Sequence, residues 1–207
     1  MLGSNESDVI VTGQPILDRL SVNLLSFKNK KQKKLDKGYV LWCHANRTPD
    51  DNEVLNMICN WLKYSTPNSV PLAIKLHPDC TLKKRSYIDK TLSKFSENYF
   101  FIESNLSIDD AIISAKVLIA QESTTMLEAF FLRKPSICLD PTNIRKKIPY
   151  LQCGICQRAT NSKELKDLII KSEDINDLMF KSIKGKMGFP LNATERIFSE
   201  LKNLIMN

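Results

Sequence analysis

The stretch AKVLIAQESTTMLEAFFLRKPSICLDP, Ala115–Pro141, decides the fold. Val117–Ala120 is a continuous apolar run of strand length, the pattern of a strand buried on both faces. It enters a polar corner, Gln121-Glu122-Ser123-Thr124-Thr125, which opens an apolar helix ending near Leu132. A basic pair and Pro135 stop that helix, and a second strand follows at Ser136–Leu139. Such a corner is expected to gather three unpaired backbone N–H groups and two or three hydroxyls at a helix N-terminus. The helix dipole and these donors favour an anion. In an open α/β sheet, ligands bind at the carboxyl edge of the strands. Ser and Thr also cap many helices that bind nothing, so the corner reads either as a phosphate site or as an ordinary N-cap.

Upstream, Val70–Pro78 reads VPLAIKLHP. A strand of buried type ends in Lys75 and leads into His77 and Pro78. The proline biases His77 away from helical geometry and leaves its imidazole at the strand exit. In a parallel sheet both exits share an edge, so His77 and Ser123–Thr125 would face one ligand. An imidazole can carry a proton near neutral pH, which suits a phosphate leaving group. A purely structural histidine is the other reading.

The remaining segments extend the alternation. Val9–Thr12 reads as a short strand, and Gly38 releases a strand over Tyr39–Cys43. Asp50 and Glu53 have capping-box spacing ahead of a helix whose apolar face is Val54, Leu55, Ile58, Trp61 and Leu62, with Pro67 after it. A helix near Leu82–Phe95, a strand at Tyr99–Ile102 and a short helix capped by Ser107 follow. The last third is helical: Ser162–Ile170, Ile175–Ile183 and the amphipathic Asn192–Met206. Strands alternating with helices imply right-handed βαβ units. The expectation is an α/β chain: a single Rossmann-like domain, a parallel sheet of about five to six strands with helices on both faces, and a helical C-terminal third. Residues 1–37 form a leading segment and basic linker, and residues 38–207 form the domain.

The chain has 207 residues, 43% of them hydrophobic, enough for one large domain with a real core. Its formal charge is +7, concentrated in Lys28–Lys34, Lys37 and Arg145-Lys146-Lys147. Such runs are usually solvated loops. They also suit an anionic membrane surface or a phosphorylated substrate. Nucleic acid is not an expected partner, because the runs lack interleaved aromatics and no reader motif is present. No apolar run reaches the roughly 20 residues that span a bilayer, and the start lacks a signal-peptide pattern. A cytoplasmic protein is expected, with peripheral association at the inner face of the membrane through the basic segments. Of the six cysteines, Cys153 and Cys156 form a single CxxC with no second pair, so reduced structural thiols are expected. Neither GxGxxG nor GxxxxGK[ST] occurs, which argues against dinucleotide oxidoreductases and P-loop enzymes. No metal site and no cofactor are expected.

The order of these segments resembles the C-terminal, donor-binding half of a GT-B glycosyltransferase. VTGQPILD (Val11–Asp18) resembles the opening of that half in CDP-glycerol transferases, capsule-polymer transferases and UDP-N-acetylglucosamine 2-epimerases. IKLHP (Ile74–Pro78) resembles the His-Pro motif of bacterial sialyl-, Kdo- and glycerophosphotransferases, and ESTTMLEA (Glu122–Ala129) their Ser-Ser/Thr motif. RKPSICLD (Arg133–Asp140) resembles the strand after it, and ATERIF (Ala193–Phe198) the closing helix. The resemblance implies that His77 neutralises or protonates the departing nucleotide. It implies that Ser123, Thr124 and Thr125 hold the donor phosphate, and that Glu128 accepts hydrogen bonds from the ribose diol. A surface helix glutamate is the alternative for Glu128. Arg47, in the polar loop after the first main strand, either pairs with phosphate or is solvated; Trp42 and Tyr39 belong to the core.

Families with this pattern usually carry an N-terminal domain that holds the acceptor; ten residues precede VTGQP here. The expectation is half an enzyme: the nucleotide-sugar or CDP-alditol binding half of a glycosyl- or glycerophosphotransferase in surface polysaccharide synthesis. Its partner chain or domain would supply the other half. The alternatives are a fragment of a 2-epimerase-like isomerase and a non-catalytic nucleotide- or partner-binding module. Thr124-Thr125, where the epimerases usually have glycines, favours the transferases.

Overall fold

The computed structural model describes residues 10–15, 17–20, 38–46, 48–64, 69–103, 105–187 and 192–206. Six strands form one sheet: β1 Val40–His44, β2 Leu72–Leu76, β3 Tyr99–Phe101, β4 Val117–Ala120, β5 Ser136–Leu139 and β6 Gln157–Ala159. The spatial order is β3-β2-β1-β4-β5-β6, and every pairing is parallel. The chain therefore winds outward in one direction from β1 to β3, then returns and winds the other way from β4 to β6. The reversal lies between β1 and β4, and all strands leave the sheet along one edge.

Helices α1 (Asp51–Leu62), α2 (Leu82–Leu92), α3 (Ile108–Ser114), α4 (Thr125–Phe131), the single turn α5 (Pro149–Gln152), α6 (Ser162–Lys171), α7 (Asp177–Met187) and α8 (Ala193–Met206) alternate with the strands and follow them. Alternation along each strand sorts the core into two layers. Val40, Trp42, Leu72, Ile74, Val117, Ile119, Ile137 and Leu139 pack under α1, α2 and α6. Leu41, Cys43, Ala73, Leu118, Ala120 and Cys138 pack under α3 and α4. Tyr39 and Trp42 are both buried, and Tyr39 donates its hydroxyl to the Ala111 carbonyl at 2.7 Å. All six cysteines are free thiols; Cys43, Cys59, Cys138 and Cys156 are buried, whereas Cys80 and Cys153 are partly exposed. Gly38 precedes β1 with φ +62, and a Cβ there would meet the Lys116 backbone nitrogen at 3.2 Å, so a side chain would be both strained and crowded.

Several expectations change. Residues 10–12 are not a strand, and Val9 lies outside the described residues. The sixth strand is instead β6, Gln157–Ala159, which pairs with β5 at the sheet edge. Asp50 is the N-cap of α1, yet its side chain makes no capping bond. Its carboxylate is buried against Arg145, which reaches it through Nη1 and, at 2.6 Å, through Nη2; Thr142 adds a bond at 3.3 Å. Arg145 is thus an interior ion-pair partner and not part of a solvated basic run. It also stands 3.7 Å from Asp140, whose other oxygen is 2.9 Å from Arg158. Burial works against the charge on Asp50, and the Arg145 guanidinium overrides it, holding the carboxyl below its ordinary range. The Lys28–Lys34 run, Lys37 and Pro67 lie outside the described residues.

The two ends of the described chain meet. Pro15 and residues 17–20 are helical, and Leu17 and Leu20 enter the core beside α3 and α4. Asp18 accepts from the Ala193 and Thr194 amides at 3.2 and 2.9 Å and so caps α8. Beyond this cap α8 projects an apolar face, with Phe198 69% and Ile205 84% exposed. Among the described residues no helix is long and apolar enough to cross a membrane.

Candidate functional site

The order β2-β1-β4 sets the site. His77 follows β2 and the Ser123–Thr125 corner follows β4, so they flank the exit of β1. Between them lies a cleft of about 600 Å³, of the size that holds a small ligand. His77, Ser123, Thr124, Thr125 and Glu128 all line it, together with Cys43, His44, Asn46 and Lys75. Of the residues singled out in the sequence, only Arg47 is missing from this group, because it lies outside the described residues.

His77 is half-exposed at the rim. The Asp79 backbone N–H donates to its Nδ1 at 3.2 Å. A ring that accepts at Nδ1 carries a proton on Nε2 and can donate there. Asn46 ties the loop after β1 to this segment by donating to the Asp79 carbonyl at 3.2 Å.

The polar corner differs from expectation in its amides. The Thr125 N–H goes to Ser123 Oγ at 3.3 Å, the Met126 N–H to the Ser123 carbonyl at 3.2 Å, and the Leu127 N–H to the Thr124 carbonyl at 2.9 Å. A tight opening turn consumes the three N–H groups that the sequence left free. The corner keeps its hydroxyls. Thr124 makes no capping bond, and Ser123 Oγ, which accepts from Thr125 Oγ1 at 2.9 Å, still has its own proton to donate.

Glu128 is not a surface residue. It is 7% exposed, it lines the cleft, and its Oε2 has no partner among the described residues. Burial, and then the Asp109 charge, push its carboxyl up, with Arg19 opposing. Arg19 is itself paired with Asp109 at 3.2 Å.

His44 is the residue that the sequence reading missed. It is the last residue of β1, buried, with Nδ1 unpartnered among the described residues and Nε2 3.8 Å from Asp51. Burial pushes its pKa down and Asp51 opposes, so the ring is neutral at physiological pH. Its signal was position alone: the terminal residue of a central parallel strand stands at the ligand edge. Asp51 anchors this side of the cleft, accepting from Thr48 at 2.6 Å, Lys84 at 2.9 Å and Gln121 at 3.1 Å.

A histidine ring on one wall, hydroxyls on the other and a buried carboxyl between them make the cleft polar, with both hydrogen-bond donors and acceptors in its lining. Three solved structures share this architecture. S. aureus MnaA, in a co-structure with UDP, superposes with a TM-score of 0.66 over 98% of this chain and 56% of its own, at 16% identity. The UDP-GlcNAc 2-epimerase of Neisseria meningitidis, bound to UDP-GlcNAc, gives 0.58 over 99% and 56%, at 19% identity. The wall teichoic acid polymerase TagF gives 0.53 over 99% and 54%, at 14% identity. The chain has the fold of the C-terminal half of a GT-B protein. This GT-B half spans a little over half the length of each structure that it matches. No protein-family model and no curated protein matches its sequence.

Proposed function

We propose that this chain is the nucleotide-donor-binding half of a transferase that moves a glycosyl or alditol-phosphate group to an acceptor hydroxyl in surface polysaccharide synthesis. The observation that carries the reading is the meeting of His77 with Ser123–Thr125 across one cleft at the reversal point of the sheet. The Ser123 and Thr124 hydroxyls hold the donor phosphate, Glu128 binds the ribose diol, and Arg47 adds charge from the loop after β1. When the acceptor oxygen attacks, the bond to the nucleotide phosphate breaks. The Nε2–H of His77 neutralises the charge left on that phosphate. The acceptor proton leaves to a base on the companion half, which also excludes water. The chain works in the cytoplasm, where its basic segments hold it against the anionic inner face of the membrane.

Calorimetric titration of the full chain with CMP, CDP, UMP and UDP tests this reading. Binding of at least one nucleotide is expected, with little or no donor turnover in the absence of the companion half. Ser123→Ala combined with Thr124→Ala should weaken that binding about tenfold or more. His77→Ala should slow transfer by the reconstituted enzyme more than it weakens binding. Unchanged affinity in a folded double variant would return the corner to a helix cap. Conversion of UDP-GlcNAc without any acceptor would replace transfer with isomerisation.

A further inference from the structure

The cleft has an electrostatic gap at its centre. The first-turn amides of α4 are spent within their own turn. His44 is buried, and Glu122 and Glu128 bring carboxyl groups to the lining. A nucleoside diphosphate needs full positive charge as well as hydroxyls. Among the described residues lining the cleft, Lys75 is the one lysine or arginine.

Lys75 is placed for that task. It sits opposite Cys43 in the β1–β2 register, on the strand face that also bears Ala73 under α3 and α4. Glu128 approaches Cys43 from α4, and the Cys43 thiol feels the charges of both Glu128 and Lys75. The Lys75 ammonium donates to the Glu103 carbonyl at 3.1 Å and to the Leu106 carbonyl at 2.7 Å. An ammonium has three N–H donors, so one remains. The two carbonyls fix the long side chain before any ligand arrives, which removes most of the ordering entropy of capture. They also hold the loop before α3 that brings Ile108 to the cleft wall.

We propose that Lys75 is the phosphate anchor of the cleft, supplying the full positive charge for the diphosphate of a nucleotide ligand. The assignment rests on the nucleotide-binding reading above. Its test separates the phosphate from the nucleoside. Wild type, Lys75→Met and Lys75→Arg are titrated by calorimetry with inorganic pyrophosphate, UDP, CDP, uridine and cytidine at two salt concentrations. Lys75→Met should weaken pyrophosphate and the bound nucleoside diphosphate about tenfold or more, with a shallower salt dependence. Its affinity for the nucleoside should match wild type, and Lys75→Arg should retain more diphosphate affinity than Lys75→Met. Lys75→Gln, neutral but able to donate to a loop carbonyl, carries the same test if the Met variant does not fold. Equal pyrophosphate affinity in wild type and the neutral variants would overturn the assignment. So would an equal loss for nucleoside and diphosphate, which would mark Lys75 as a loop clamp only. Pyrophosphate binding that depends on Lys75, without nucleotide binding, would support the anchor and overturn the proposed function. No binding of pyrophosphate or either diphosphate by wild type would overturn both.

Discussion

The carboxylate of Asp18 caps a helix whose first turn lies 176 residues further on, at Thr194. This bond joins a segment near the start of the described chain to its last helix. Asp18→Ala should lower stability by about 1 kcal/mol, the usual value of an N-cap, and hydrogen exchange should quicken in the first turn of α8. The Thr194 amide holds the Asp18 carboxyl below its ordinary value. Its contribution is therefore complete above the unfolded aspartate range, about 3.9, and disappears as pH falls through the lower folded value. Denaturant melts of wild type and Asp18→Ala should converge in acid.

His44 titrates with the same sign in a different window. Its folded pKa lies below that of a free imidazole because burial opposes the charge. The neutral ring stabilises the fold above about pH 6.5, and this is lost as pH falls towards the folded value. Thermal melts between pH 7.5 and 5 should decline less steeply for His44→Asn than for wild type. An NMR titration should place the ring below the ordinary histidine range.

Glu128 has the opposite sign. Burial raises its pKa, so the fold holds a proton that the unfolded chain has released. Its contribution is fully present below the unfolded glutamate range, about 4.3, and falls away as pH rises through the folded value. Glu128→Gln should raise the melting temperature at neutral pH and flatten the fall in stability as pH rises above the unfolded glutamate range. The same variant should weaken nucleotide binding if the unpartnered Oε2 meets the ribose. A higher melting temperature with unchanged affinity would leave Glu128 outside the ligand contact.

The Asp50–Arg145 pair joins the start of α1 to the loop after β5. Arg145→Met leaves Asp50 and Asp140 buried without that guanidinium, and should cost about 3–5 kcal/mol. Adding Asp50→Asn should restore part of the loss, because removing both charges is milder than stranding one. Chemical denaturation of the single and double variants reads this coupling directly.

The parts of the fold legible in the sequence are those whose burial is two-sided. Val117–Ala120 begins and ends where its apolar run does, and Ser136–Leu139 ends where its run does, because every residue in each is buried. β6 was illegible for the converse reason: of its three residues only Ala159 is buried, so no period marks it. Val9–Thr12 has apolar content but, in the described part, no partner strand. Sequence shows that Arg145 and Asp50 are charged, but their separation of 95 residues hides that they are paired. At the site, side chains were legible and backbone was not. Ser123, Thr124 and Thr125 line the cleft, whereas the fate of the amides depended on how tightly the opening turn closed.

The placement of the thiols turns the chain into its own unfolding clock. Burial raises Cys43 and Cys138 to about 12 and Cys59 to about 11, and drives Cys156 higher still. A thiol reagent attacks thiolate and needs access, so these four sulfurs are silent while the sheet is closed. Cys80 and Cys153, partly exposed, react ahead of them. Alkylation should thus proceed in two phases, the first set by the surface and the second by the rate at which the sheet opens. Any ligand that occupies the cleft will lengthen the second phase, so occupancy can be read from the kinetics of Cys59, Cys138 and Cys156, sulfurs that do not line it.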